Sequence, residues 1–298
     1  MSLLVFDSSA LRATFSPQGR RKEGGVGVNA ISPTIRHQRA RGTGRMATHV
    51  LDGRTRLTTL FQEGCAKIRL PHTHDPSLQA VLINTAGGLT GGDEVTWQVD
   101  AAPGARMVLT TQACERVYRS LGDDATVRTR ISVGAGAHLD WLPQETILFE
   151  GARLNRGLEI DLAPDASLFA IEAILLGREA MGESARNAWL TDNWRIRRGG
   201  RLVHAEATRL GGADEERDGL SLLDGAGAFA TLLYVGADAE TRLERIRAPL
   251  SGDAAASVIG ERLVIRAMAP GGLALRRIIT PIITHLSGAG ALPRLWHL

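Results

Sequence analysis

The segment Gly87-Gly88-Leu89-Thr90-Gly91-Gly92-Asp93 is where backbone chemistry first suggests itself in this 298-residue chain. Glycines leave N–H groups bare, and such a cradle holds phosphate when it opens a helix. Here Val95-Thr96-Trp97-Gln98-Val99 follows, which alternates as a strand does, and no Gly-Lys-Ser/Thr comes after it. The block therefore reads as a turn with several positive-φ positions. Gly87, Gly88, Gly91 and Gly92 are then candidates for close approach by a partner chain or a passing ion. His72-Thr73-His74-Asp75 is the densest set of metal-ligating side chains. Imidazoles and a carboxylate can hold a divalent ion transiently, but Pro71 and Pro76 flank the set and no second half matches it. It reads as loose surface histidines, with His72 and His74 kept as a weaker metal alternative.

The carboxylates are scattered: Asp93, Glu115, Glu145, Glu172, Glu179, Glu183 and Asp192. Glu145 follows Trp141-Leu142-Pro143-Gln144, and Glu172 interrupts the apolar run Leu168–Leu176. Charges at such places are seldom buried unless paired. Two readings stand: pairing with Arg116, Arg119, Arg178 and Arg195, or a polar path through the interior. The sequence shows no GxSxG elbow, no HExxH and no Cys–His partnership.

The elements that would position these groups are mostly strands. Alternation appears at Met46–Leu51, Thr55–Leu60, Ala66–Leu70 and Val95–Val99, and Ala80–Asn84 suits a buried strand. Three later stretches share one plan: an alternating strand, a small-residue turn, then an apolar strand. Their turn alanines are Ala105, Ala137 and Ala166, separated by 137 − 105 = 32 and 166 − 137 = 29 residues. A repeat near 30 residues is the mark of a solenoid, in which each coil buries its face by stacking on the next. The expected fold is mainly β, a layered β-helix or β-solenoid with a few short α-helices. Strand and helix compete over Leu168–Met181, and Ala254–Val258 and Arg277–Leu286 are weak helix candidates. Ala226–Val235 is a strongly apolar β-run. Residues 1–33 read as a turn-rich, charged flexible leader, and residues 34–298 as a single β-rich domain.

Composition narrows the function classes. Hydrophobic residues make up 44% and aromatics 4%, so the core rests on Leu, Ile, Val and Ala. The net charge is +3, and its densest basic run is Arg36, Arg39, Arg41 and Arg45. That run suits a solvated strand edge or an arm against a protein partner better than nucleic acid, which favours basic patches interleaved with aromatics. Cys65 and Cys114 form no CxxC pair, so reduced thiols in the cytoplasm are expected. Neither a signal peptide nor a membrane span is expected, since the longest apolar stretch is far below the roughly 20 residues a spanning helix needs.

Several stretches together resemble the urease accessory protein family UreD, also called UreH. They are Asn84–Asp93, Thr111–Ser120, Trp141–Phe149, Gly177–Glu183, Asp192–Arg198 and Gly225–Thr231, in the family's order, over roughly residues 35–240. The resemblance implies a protein that matures urease and catalyses nothing itself, with a β-helical fold and a few helices. It implies binding to apo-urease subunits and to UreF, which recruits the GTPase UreG. A nickel donor such as UreE would supply the metal. It further implies that nickel passes through an internal polar tunnel, and that no cofactor is tightly bound, GTP belonging to UreG. Glu145, Glu172 and Glu183 are the carboxylates chosen for the ion path, with Asp93 beside them. Where some members carry His-Pro this chain has Asn84-Thr85, so no nickel role transfers there. The competing classes are a carbohydrate-active β-helix enzyme with paired carboxylates and an interaction module without metal.

Overall fold

The computed structural model describes residues 38–72, 76–211, 215–219, 222–248, 250, 253–288 and 292–297. The expected leader at 1–33 and His74 lie outside these residues. In chain order the described elements are β1 (Arg41–Leu51), β2 (Arg54–Gly64), β3 (Ala66–Arg69), β4 (Leu78–Asn84), β5 (Glu94–Ala101) and β6 (Arg106–Thr111). There follow β7 (Glu115–Val117), β8 (Ala125–Val133), β9 (His138–Leu142), β10 (Thr146–Leu148), β11 (Arg153–Leu162) and β12 (Ser167–Leu176). The last part holds β13 (Trp189–Arg198), β14 (Arg201–Leu210), β15 (Ala228–Val235), α1 (Ala239–Ile246), β16 (Ala254–Ile259), β17 (Arg262–Ala269) and α2 (Gly272–Leu286).

The strands wind into a β-solenoid of about four turns. One sheet runs β14-β13-β11-β8-β5-β1-β2, and the other runs β16-β17-β15-β12-β9-β6-β4-β3. Strands β1, β5, β8, β11 and β13 pair in parallel, as do β4, β6, β9 and β12. A narrow third wall joins β7 to β10 and β10 to the end of β12. Hairpins close the first sheet, with β2 against β1 and β14 against β13.

The turn alanines stack as the repeat requires. Ala105, Ala137 and Ala166 are all at most 1% exposed. His138 N donates to Ala105 O at 2.8 Å, and Ser167 N donates to Ala137 O at 3.0 Å. Each coil therefore satisfies the turn backbone of its neighbour.

Two cores explain the sequence patterns. Inward residues of both sheets, among them Leu139, Leu158, Ile160, Leu168 and Trp194, fill the lumen. The second sheet is also covered outside, where Phe169, Ile171, Leu232 and Ile265 meet Leu275, Ile279, Ile282 and Ile283 of α2. Strand β12 is thus buried on both faces and reads as an apolar run that Glu172 alone interrupts after Ser167, as two-sided burial dictates. The helix that competed there is absent: Ser167–Leu176 is strand, followed by a 3₁₀ turn at Glu179–Met181. The expected helix at Ala254–Val258 is corrected too. Those residues form the edge strand β16, whose antiparallel pairing to β17 overrides the helix preference of three consecutive alanines. The expected helix at Arg277–Leu286 is present within α2. Among the described residues no helix is long and apolar enough to cross a membrane.

Candidate functional site

Alternation along the inward faces places three charges inside the lumen. On β11 the inward positions are Leu154, Arg156, Leu158, Ile160 and Leu162, so Arg156 sits where a core aliphatic would stand. Asp192 occupies the same parity of β13, between Leu190 and Trp194, and is the lateral partner of Arg156. Glu172 takes the inward parity of β12, between Ala170 and Ile174. All three are at most 6% exposed.

They form one hydrogen-bonded cluster across all three walls. Arg156 Nε and Nη2 donate to the two oxygens of Asp192 at 3.1 and 2.6 Å. Arg156 Nη1 donates to Glu172 Oε2, and to Thr146 Oγ1 at 3.1 Å. Trp141 Nε1 donates to the other Glu172 oxygen at 2.9 Å. One guanidinium faces two carboxylates, which leaves one negative charge when both acids are ionised. Burial is the main force on Glu172; with the nearby Asp192 it pushes the carboxyl up to about 7 against the pull of Arg156.

Space adjoins the cluster. A cavity of about 60 Å³, room for a few waters, is lined by Glu172, Arg156, Thr146, Thr111 and Glu115. It shares Trp97, Thr111 and Glu115 with a second cavity of about 140 Å³ that reaches Asn84, Gly87 and Cys114. Glu115, on the third wall, accepts from Asn84 Nδ2 at 3.2 Å on each oxygen. Burial raises its carboxyl to about 7, against the Asn84 hydrogen bond. At the far end, Thr208, Thr231 and Arg266 line a pocket of about 510 Å³.

The other expected site residues sit elsewhere. Glu145 lies outside the lumen, clasped by α2: Arg276 Nε and Nη2 donate to its two oxygens at 2.8 and 2.7 Å. Burial works to raise its carboxyl, and these bonds outweigh it and hold it below the usual range. Cys114 Sγ lies 3.4 Å from Glu145 Oε2, and burial with that carboxylate pushes the thiol up to about 11. Glu183 is in a surface loop, where its pairing with Arg178 lowers its pKa and Glu150 N donates to it at 2.7 Å. Asp93 is a backbone anchor: Ala40 N and Thr90 N each donate to it at 2.8 Å. His72 is exposed. Glu145, Glu172 and Glu183 are therefore not one site. Glu172 alone is in the lumen, and its partners Arg156 and Asp192 complete the cluster.

The glycine block packs against the next coil's loop. Leu89 N donates to Arg116 O, and Tyr118 N to Leu89 O, both at 2.7 Å. Gly88 has φ +148°, and a Cβ there would stand 2.8 Å from Arg116 O and collide with the Tyr118 ring. A Cβ at Gly91 would collide with Ser120 Oγ and the Asp123 carbonyl. Gly87 and Gly92 carry positive φ at the two ends of the turn. The glycines let two loops touch, and the block runs into strand β5.

A family model described as the UreD urease accessory protein matches residues 40–297. The chain belongs to the UreD urease accessory protein family. It is similar to the urease accessory protein UreD of Chelativorans sp. (strain BNC1), 62% identical over 88% of this chain and 95% of that protein. The UreD protein of Sinorhizobium medicae (strain WSM419) is 50% identical over 90% of this chain and 98% of that protein. That of Rhizobium rhizogenes (strain K84) is 52% identical over 91% of this chain and its own full length. Membership makes this chain an accessory protein in the service of urease maturation.

Proposed function

We propose that the chain matures urease by binding the apoprotein together with UreF, which brings in the GTPase UreG, and by letting nickel pass through its lumen. The observation that carries this reading is the buried polar seam. It runs from Asn84 and Glu115 through two cavities to Glu172, Arg156 and Asp192, and on to Thr208 and Thr231. A solenoid core without traffic would be stabler with aliphatic residues there, since buried charge clusters are often neutral or costly to stability. Oxygen ligands hold Ni²⁺ more weakly than imidazole or thiolate sets. Among the described residues no group of three or more His, Cys, Asp or Glu is placed to hold an ion. The donor, such as UreE, would deliver nickel, and GTP would act only on UreG. A carbohydrate-active enzyme would need two carboxylates facing an open groove; Glu172 and Asp192 instead bind one guanidinium inside the lumen.

Co-expression of urease structural and accessory genes, with and without this chain, tests the reading. Urease made without the chain is expected to lack nickel and activity while its subunits still fold. Full nickel content without it would end the proposal.

A further inference from the structure

Arg156 lines one space of the lumen, and a larger pocket begins one strand beyond its carboxylate partners. With Glu172 it lines the cavity of about 60 Å³. One strand further on, Thr208 is the lateral partner of Asp192 and Thr231 that of Glu172, and both threonines line the pocket of about 510 Å³. The Arg156–Glu172–Asp192 cluster thus lines the first space and lies one strand pairing from residues that line the second. The Arg156 side chain is 7% exposed, and its guanidinium is bound to Asp192, Glu172 and Thr146 together. It lies where the two carboxylates converge.

We propose that Arg156 is a tethered counter-cation that plugs the interior path. It holds the place between Glu172 and Asp192 that a divalent cation must take, so that passage requires the guanidinium to swing aside. The inference rests on the transit reading above and adds its regulation. A guanidinium and a divalent ion carry the same sign and compete for the same carboxylate oxygens; in a site this buried they cannot share them. The rigid fork suits Arg156 to the task, because it binds two carboxylates and a hydroxyl at once. Removal of the plug turns a passage into a trap: two carboxylates and the Thr146 hydroxyl would then face each other with no resident cation.

The test titrates Ni²⁺ alone into the purified full-length chain and its variants by calorimetry. Arg156→Gln is expected to bind one Ni²⁺ at least about tenfold more tightly than the wild type, within the range by which groups around a metal ligand tune affinity. The gain should vanish in R156Q/E172Q. A folded Arg156→Gln variant with wild-type affinity overturns the proposal. Should that variant fail to fold, R156Q/D192N keeps the native cluster's charge of one negative. It is then compared with Asp192→Asn, and absence of the same gain overturns the proposal. A second readout separates the plug from the transit reading. If Glu172→Gln lowers the nickel content of co-expressed urease while Arg156→Gln gains no ion, the plug alone fails. If Glu172→Gln leaves that content full, the transit reading fails.

Discussion

Glu145 was a candidate for the ion path, and the clasp from Arg276 assigns it a structural task that can be measured. Arg276→Met keeps the side-chain stem against Trp296, whose ring lies 5.1 Å from the guanidinium, and removes both hydrogen bonds to Glu145. The Glu145 side chain is 4% exposed and that of Arg276 19%. Breaking one half of a buried pair costs about 3–5 kcal/mol; the partial exposure of Arg276 points to the lower end, about 3 kcal/mol. Glu145→Gln leaves Arg276 one acceptor there plus the Gln144 side chain, and should cost about 2 kcal/mol. The double variant strands no charge, so its cost should be about 3 kcal/mol, not the sum of about 5. The coupling is then about 2 kcal/mol. Urea unfolding followed by circular dichroism measures all three, with unchanged m-values as the check on a common unfolding reaction. The pH dependence should follow. The native Glu145 pKa lies below its unfolded value, so its stabilisation is present above about pH 4.5 and is lost as pH falls through the native pKa. Arg276→Met should flatten that acid limb. A coupling below about 0.5 kcal/mol would refute the clasp and return Glu145 to the path.

Three further outcomes are expected. Glu172 and Glu115 have native pKa values raised from 4.5 to about 7, so the native state binds more protons and stability should fall as pH rises from about 4.5 to 7. Glu115→Gln and Glu172→Gln should each flatten this slope by about 1–2 kcal/mol, read from urea midpoints at pH 5 and pH 8. Gly88→Ala forces a Cβ into a φ of +148° against the Arg116 carbonyl and should cost about 2 kcal/mol or more, seen as a lowered melting temperature. Asp93→Ala orphans the amides of Ala40 and Thr90 and should cost about 1–3 kcal/mol by urea unfolding, with Asp93→Asn costing less because it keeps one acceptor.

Much of the fold was legible because the first sheet has one wet face. Its strands alternate, as Val95, Trp97 and Val99 do, and alternation is what a sequence displays most clearly. The stacking turns were legible through Ala105, Ala137 and Ala166, whose tight packing holds them at a fixed offset. Strand β12 was ambiguous because α2 covers its outer face, which removes the alternation. Helix α1 escaped notice because only Ala239 and Ile246 of its eight residues are buried, too few to mark a period. In the site, Glu172 stood out as a charge inside an apolar run. Arg156 did not, because arginine in a strand reads as a solvated face. Its meaning lies in the lateral register that sets it beside Asp192, 36 residues later, and no local pattern carries that. Glu145 and Glu183 lie in stretches shared with the UreD family, yet their task is to bind Arg276 and Arg178.

The central claim is that a cation crosses the lumen past Glu172. It is tested most directly by the nickel content of urease purified from cells at limiting nickel, with Glu172→Gln in place of the wild-type chain. The substitution keeps an acceptor for Trp141 and removes the cluster's unbalanced negative charge. Co-purification with the other maturation factors serves as the control for folding and assembly. The account predicts intact assembly and a nickel content lowered at least about tenfold, the scale on which loss of a supporting group at a metal site lowers affinity or activity. Full nickel content in urease matured by the Glu172→Gln chain would contradict it.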